Sequence, residues 1–203
     1  MINTVIFDVG GVLVHFDRDI YFSKRGYEPA KAKQLTQAVF DHPAWLEYDL
    51  GNLDDVTIRN RFMQDAPELA DDIEKSLIHL HGVISKKTST IPWIRSIQQM
   101  GQKVYILSNI GKTCVADNQD ALDFVSMVDG CFWSYEHHVI KPDLKAFQMM
   151  MDQFHIDPKQ AVFIDDTKKN VEAGKQFGLY GLMVSRSKTS RIGLNGHSKR
   201  ELK

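Results

Sequence analysis

The chain has 203 residues, 43% hydrophobic and 25% charged, with a net charge of −1 at pH 7. That balance is ordinary for a globular protein, offers no basic surface to nucleic acid, and includes no apolar run near the ~20 residues of a membrane span. The start, MINTVIFD, lacks the basic stretch and long apolar run of a signal peptide, and two cysteines (Cys114, Cys131) make no disulfide framework, so a cytoplasmic protein with reduced thiols is expected.

In chain order, TVIFDV (4–9) is a short, non-alternating apolar run that ends in one acid, Asp8, and two glycines, Gly10 and Gly11. KVYILS (103–108), AVFIDD (161–166) and GLMVS (181–185) have the same character, and CFWS (131–134) is a shorter run. Non-alternating strands of Val, Ile, Leu and Phe are those of a parallel sheet buried on both faces. Helical patterns lie between them. Pro92–Met100 aligns Trp93, Ile94, Ile97 and Met100 and stops at Gly101; Pro142–His155 aligns Leu144, Phe147, Met150, Met151 and Phe154. In both, proline is expected at the first helical position. Strand and helix in alternation imply right-handed crossovers and a doubly wound, Rossmann-like α/β fold.

Residues 15–90 break this rhythm. They show no convincing strand and read as helices: Glu28–Phe40, a second capped by Asp54 or Asp55, and a stripe of Leu69, Ile73, Leu77 and Leu80. A small helical bundle inserted after the first strand is therefore expected, with 1–14 and 91–185 forming the α/β core. The polar tail, 186–203, is expected to be loosely ordered.

Ligands of open α/β sheets bind beyond the carboxyl ends of the strands. The residues there are Asp8, Gly10 and Gly11; Ser108 and Asn109; Asp165 and Asp166; and Lys141, in IKPD ahead of the Pro142 helix. Singly, each has an ordinary reading: a helix cap, a turn, a solvated lysine. Together they do not. Carboxylates about 4 Å apart repel by roughly 4 kcal/mol at an effective dielectric of 20, so neighbouring strand-end acids call for a cation. Oxygen ligands suit Mg²⁺. A serine hydroxyl, glycine-turn amides and a lysine suit a phosphate, and a carboxylate nucleophile beside both points to phosphoryl transfer.

The order FDVGGVLV, VYILSN, IKPD and VFIDDTKKNVEAGKQFG resembles the haloacid dehalogenase superfamily over about residues 3–185. The resemblance implies a hydrolase with a helical cap between its first two motifs, here residues 15–90. It implies Asp8 as nucleophile, and Mg²⁺ held by Asp8, the Gly10 carbonyl and Asp166, with Asp165 supporting the metal directly or through water. Ser108 is implied to bind the phosphoryl group with the N–H groups of Asn109 and Gly11. Lys141 offsets charge, and Asn170 orients Lys141 or the acid pair.

One departure stands out. Phosphatases of the superfamily usually carry an acid two residues after the nucleophile, as proton donor; this chain has Gly10. A general acid contributes ~10²–10⁴ in rate. Either the leaving group needs little protonation, as in a sugar phosphate esterified at the anomeric carbon, or another acid substitutes. The DxGxV branch, similar to glucose-1-phosphate phosphatases, shares this glycine. His15 and Asp17 are the substitutes expected from their place at the start of the insert. Trp45, Tyr48 and Asp49 are expected either to face the site and select the leaving group or to pack within the bundle. The expected substrate is a small phosphorylated metabolite. Two alternatives remain: a non-catalytic protein binding a phosphorylated ligand or protein partner, and a 2-haloacid dehalogenase. The dehalogenase would need an aromatic residue at position 10 and a nearby arginine, and has no use for the Asp165–Asp166 pair.

Overall fold

The computed structural model describes residues 1–184; the expected tail, 186–203, lies outside them. Five strands form a parallel sheet in the order β5-β4-β1-β6-β7: β1 (Thr4–Phe7), β4 (Lys103–Ser108), β5 (Gly130–Trp133), β6 (Ala161–Asp165) and β7 (Tyr180–Met183). The period of two divides each central strand between two cores. Val5, Phe7, Val104, Ile106, Val162 and Ile164 face one cluster, while Ile6, Tyr105, Leu107 and Phe163 face the other. Ile94 and Ile97 of α6 (Thr90–Gln99) cover the first side. The second is covered by α9 (Leu144–Phe154), through Phe147, Met150 and Met151, and by α10 (Lys168–Phe177). Two short helices, α7 (Lys112–Asp117) and α8 (Ser134–His137), follow β4 and β5. The sheet is thus doubly wound, with helices on both faces, as the apolar runs imply.

Register places the chemistry. Phe7 lies opposite Ile106 on one side and Ile164 on the other, so β1, β4 and β6 end at one level. Asp8 continues this alignment by donating its N–H to the Ile164 carbonyl at 2.9 Å.

The inserted segment carries α1 (Arg18–Tyr21), α2 (Pro29–Val39), α3 (Ala44–Asp49), α4 (Asp55–Asp65) and α5 (Ala70–Ser76). Asp54 caps α4, its carboxylate accepting the Thr57 N–H at 2.7 Å. Aromatic side chains hold the helices together: Phe40 packs against Phe16, Tyr21, Phe22 and Trp45, and Trp45 stacks on Phe62. The apolar cluster runs without a break from Val5 and Phe7 of the sheet to Leu35, Phe62 and Ile73 of the insert.

Three expectations are corrected. The insert does contain strands: β2 (Val14–Phe16) pairs antiparallel with β3 (Ile84–Lys86), so the chain enters and leaves through one ribbon. Pro142 is not the first residue of its helix; Asp143 is the N-cap, accepting the Lys145 N–H at 2.9 Å, and α9 begins at Leu144. Pro92 is the third residue of α6, still within the first turn, where a missing N–H costs no helical bond. Among the described residues no helix is long and apolar enough to cross a membrane.

Candidate active site

The centre of the site is Lys141. Its ammonium donates to Asp8 Oδ1 at 2.7 Å, Asp165 Oδ2 at 2.8 Å and the Leu107 carbonyl at 2.8 Å, so three neighbouring strands supply its three acceptors. Lys141 is 2% exposed, and an ammonium this deep needs every donor engaged. Its segment is held by Asn109, whose side chain accepts the Lys141 N–H and donates to the Lys141 carbonyl, both at 2.9 Å. Burial alone would push the Lys141 ammonium down, but Asp8 and Asp165 outweigh it and the net shift is upward.

Asp165 is fully buried and works inward. Beyond Lys141, it accepts the Thr167 N–H at 2.7 Å and both its oxygens accept from Asn170 Nδ2, at 3.1 and 3.3 Å. Asn170 therefore orients the acid that holds the lysine. Its own Oδ1 is buried with no hydrogen-bond partner among the described residues.

Asp8, Asp165 and Asp166 each bring a carboxylate oxygen within 4.8 Å of the others. Burial drives the Asp8 carboxyl up to about 6; Lys141 pulls it down, while Asp165 and Asp166 push it further up. Asp166 is half-buried and borders the cleft. Gly11 makes room for it. With φ at +73°, Gly11 occupies the left-handed region, and a Cβ there would lie 2.0 Å from Asp166 Oδ2.

Above this centre opens a cleft of about 480 Å³. Asp8, Gly10, Gly11, Asn109, Lys141, Asp166 and Asn170 border it from the sheet side, and His15, Phe16, Asp17, Leu46 and Lys87 from the insert and its ribbon. Not every expected residue meets it as expected. Ser108 is 2% exposed and lines a smaller recess beside the cleft instead. The Gly11 N–H, expected to help bind a phosphoryl group, donates to the Val14 carbonyl at 2.9 Å in closing the turn after β1. Asp17, expected as a substitute acid, is committed elsewhere. Its Oδ2 accepts from Lys24 Nζ at 2.8 Å and Ser85 Oγ at 2.9 Å. Burial pushes its carboxyl up, but these partners outweigh it and hold it below the usual range, so Asp17 stays ionised. His15 is exposed on β2 and does border the cleft. Sequence reasoning missed Lys87, whose ammonium reaches back to the Gly11 carbonyl from just beyond β3. The ribbon brings it there, and three-residue strands leave no periodic signal.

Known proteins resemble this arrangement over most of the chain. A family model for haloacid dehalogenase-like hydrolase matches residues 2–178. Acyl-CoA dehydrogenase family member 10 of Mus musculus is 22% identical over 93% of this chain, which spans only 18% of that protein's length. A sesquiterpene phosphatase of Aspergillus oryzae is 20% identical over 91% of both chains. A D-ribitol-5-phosphate phosphatase of Bacteroides thetaiotaomicron is 24% identical over 88% of this chain and 89% of its own. Among solved structures, a family enzyme of Bacteroides thetaiotaomicron, in complex with magnesium and inorganic phosphate, superposes with a TM-score of 0.66 at 18% identity, covering 93% of this chain and 96% of its own. The L-2-haloacid dehalogenase of Xanthobacter autotrophicus, with chloropropionic acid covalently bound, reaches 0.62 at 18% identity, covering 88% and 76%. Fold alone therefore does not separate phosphate chemistry from halide chemistry. What the family model and the geometry establish together is that this chain belongs to the haloacid dehalogenase-like hydrolases.

Proposed function

We propose that the chain is a Mg²⁺-dependent phosphatase acting on a small phosphorylated metabolite through an aspartyl-phosphate on Asp8. The carrying observation is the junction of Asp8, Lys141 and Asp165 beside Asp166, where two acids border the cleft and the third is locked beneath it. The residues fit the metal. Their donors are hard oxygens, the local excess of carboxylate calls for positive charge, and the orphaned Asn170 Oδ1 is an acceptor for a water on a hydrated cation. Asp8, Asp166 and the Gly10 carbonyl would hold it. Asp165, with both oxygens engaged, acts from behind. Bound Mg²⁺ would neutralise the phosphoryl oxygens.

The chain's own residues do the rest. Lys141 fixes Asp8 in one orientation and offsets its charge, Asn109 holds the Lys141 segment, and Asn109 from the cleft wall and Ser108 from the adjoining recess would bind the phosphoryl group. The helical insert, residues 15–90, acts as the cap, with His15, Phe16 and Leu46 facing the leaving group. The phosphatase names of two relatives support the reaction class. A sugar phosphate bonded at its anomeric carbon remains the first substrate to try. The halide reaction is disfavoured because no arginine lines the cleft among the described residues and Asp166 would lack a role.

The test is hydrolysis of p-nitrophenyl phosphate with and without Mg²⁺, alongside Asp8→Asn. Metal-dependent turnover abolished by Asp8→Asn is expected. Inorganic phosphate and Mg²⁺ bound without turnover would replace the enzyme with a phosphoryl-ligand or protein-binding member of the fold.

A further inference from the structure

Behind Gly10 lies the recess of about 80 Å³, which shares Gly10, Phe16 and Asn109 with the cleft. Gly10 leaves space at this border: a Cβ there would meet no atom within 4 Å. The recess is apolar on most sides, with Val14, Phe16, Trp45 and Ile84, and carries one carboxyl group, Asp49. The other titratable group of its lining is the Cys114 thiol, which burial and Asp49 both push up, so it stays neutral.

Asp49 is held in place. It ends α3, and that end is fastened to the rim of the sheet. Ser134 Oγ donates to the Asp49 carbonyl at 2.6 Å, and His138 Nδ1 lies 2.9 Å from the Leu50 carbonyl. Gly111 lets α3 come close, because a Cβ there would sit 2.0 Å from the Tyr48 ring, and its N–H donates to the Asp49 carboxyl. The residue as a whole is half-buried, but its carboxyl sits among apolar groups; burial pushes it up to about 7, against the pull of Gly111. Near neutral pH it populates both the protonated and the ionised form.

Other donors are poorly placed. Asp17 is held ionised by Lys24 and Ser85, Lys141 has three acceptors, and Asp165 is sealed. Lys87 is turned to the Gly11 carbonyl, and His15, exposed on the ribbon at the cleft, is a rival.

We propose that Asp49 is the catalytic acid and base of this site, reaching the leaving group through the space that Gly10 leaves open. This rests on the phosphatase reading. As a carboxylate oxygen of Asp8 bonds to phosphorus and the bond to the leaving oxygen breaks, the Asp49 carboxyl gives its proton to that oxygen. In the second step the Asp49 carboxylate takes a proton from water as the water oxygen bonds to phosphorus. Asp8 is released as carboxylate, phosphate departs, and Asp49 is again protonated.

The experiment compares the parent, Asp49→Asn and His15→Ala on two probes with Mg²⁺: p-nitrophenyl phosphate, whose leaving group needs no proton, and glycerol 2-phosphate, whose alkoxide does. Asp49→Asn is expected to lower kcat/KM, which reads only the steps up to departure of the leaving group, by about 10²-fold or more on glycerol 2-phosphate and by less than about fivefold on p-nitrophenyl phosphate, leaving inorganic phosphate binding intact. The parent's kcat/KM on glycerol 2-phosphate should also fall as pH rises past about 7, a limb absent with the nitrophenyl ester and readable without any variant. Equal losses on both probes, no such limb, or a selective loss in His15→Ala instead would overturn the assignment while the phosphatase reading stood. A parent inert on both probes would overturn both readings.

Discussion

Two parts of the site are built on opposite plans. Beneath the cleft, Lys141, Asp8, Asp165, Asn170 and the Leu107 carbonyl form a buried set in which the lysine has all its donors engaged. Above it, the insert presents Phe16 and Leu46, respectively 39% and 50% exposed. The lower part has one stable arrangement, since removing any member leaves a charge or polar group unpaired in a dry place. The upper part can change its side chains at little cost to folding. A rigid reacting centre under an adaptable lining is how one scaffold comes to serve many leaving groups.

That contrast can be broken from below. Lys141→Ala leaves Asp8 and Asp165 facing each other without a cation. A stability loss of about 3–5 kcal/mol by urea unfolding is expected, together with loss of p-nitrophenyl phosphate turnover. Asn170→Ala should cost about 1–3 kcal/mol and lower turnover roughly 10- to 100-fold, because Asp165 would then hold the lysine less firmly. Gly11→Ala tests the metal. Its Cβ would displace Asp166, and its backbone would be strained by about 1–3 kcal/mol. The Mg²⁺ concentration for half-maximal activity should therefore rise several-fold.

The effect of pH sharpens the comparison. On the proposed reading Mg²⁺ would compete with a proton on Asp8, whose carboxyl burial pushes up to about 6, so calorimetric Mg²⁺ affinity should weaken as pH falls below about 6. For Asp49 the folded carboxyl is raised above its unfolded value, so the folded state keeps a proton that the unfolded state loses between about pH 4 and 7. Stability from this group is therefore lost as pH rises through that window. Asp49→Asn should gain about 1–3 kcal/mol at pH 8 and little at pH 4. The smallest effect belongs to the lining above. Leu46→Ala should move stability by less than about 0.5 kcal/mol yet shift KM among alkyl phosphates.

The lower part was the more legible in the sequence. Buried parallel strands need continuous apolar runs, and the residue ending each run must meet its neighbours at one rim; Asp8, Ser108 and Asp165 follow from that rule alone. What Asp165 does there was not legible. Metal support and lysine support use the same residue type, and only the bonds to Lys141, Thr167 and Asn170 distinguish them. The Gly11 amide likewise reads as a phosphate donor until the turn to Val14 is seen. The β2–β3 ribbon was invisible because His15 pairs with Ser85, far along the chain, within strands too short to alternate. Lys87, which follows β3, was hidden with it. Asp49 was noticed as part of AWLEYDLGNL, but its facing a recess behind Gly10 depends on how α3 docks on Gly111 and Ser134.

The ribbon has an evolutionary consequence. Because Val14 and Lys86 lie side by side, the main chain leaves the sheet and returns to it at one doorway. The stretch between is topologically a plug-in module. Its length and helix count can drift through insertion, deletion or wholesale replacement while the registers of β1, β4 and β6 are untouched. If the insert selects the substrate as proposed, a lineage can thus trade one substrate for another by editing a single contiguous stretch of gene, with Asp8 left in its place.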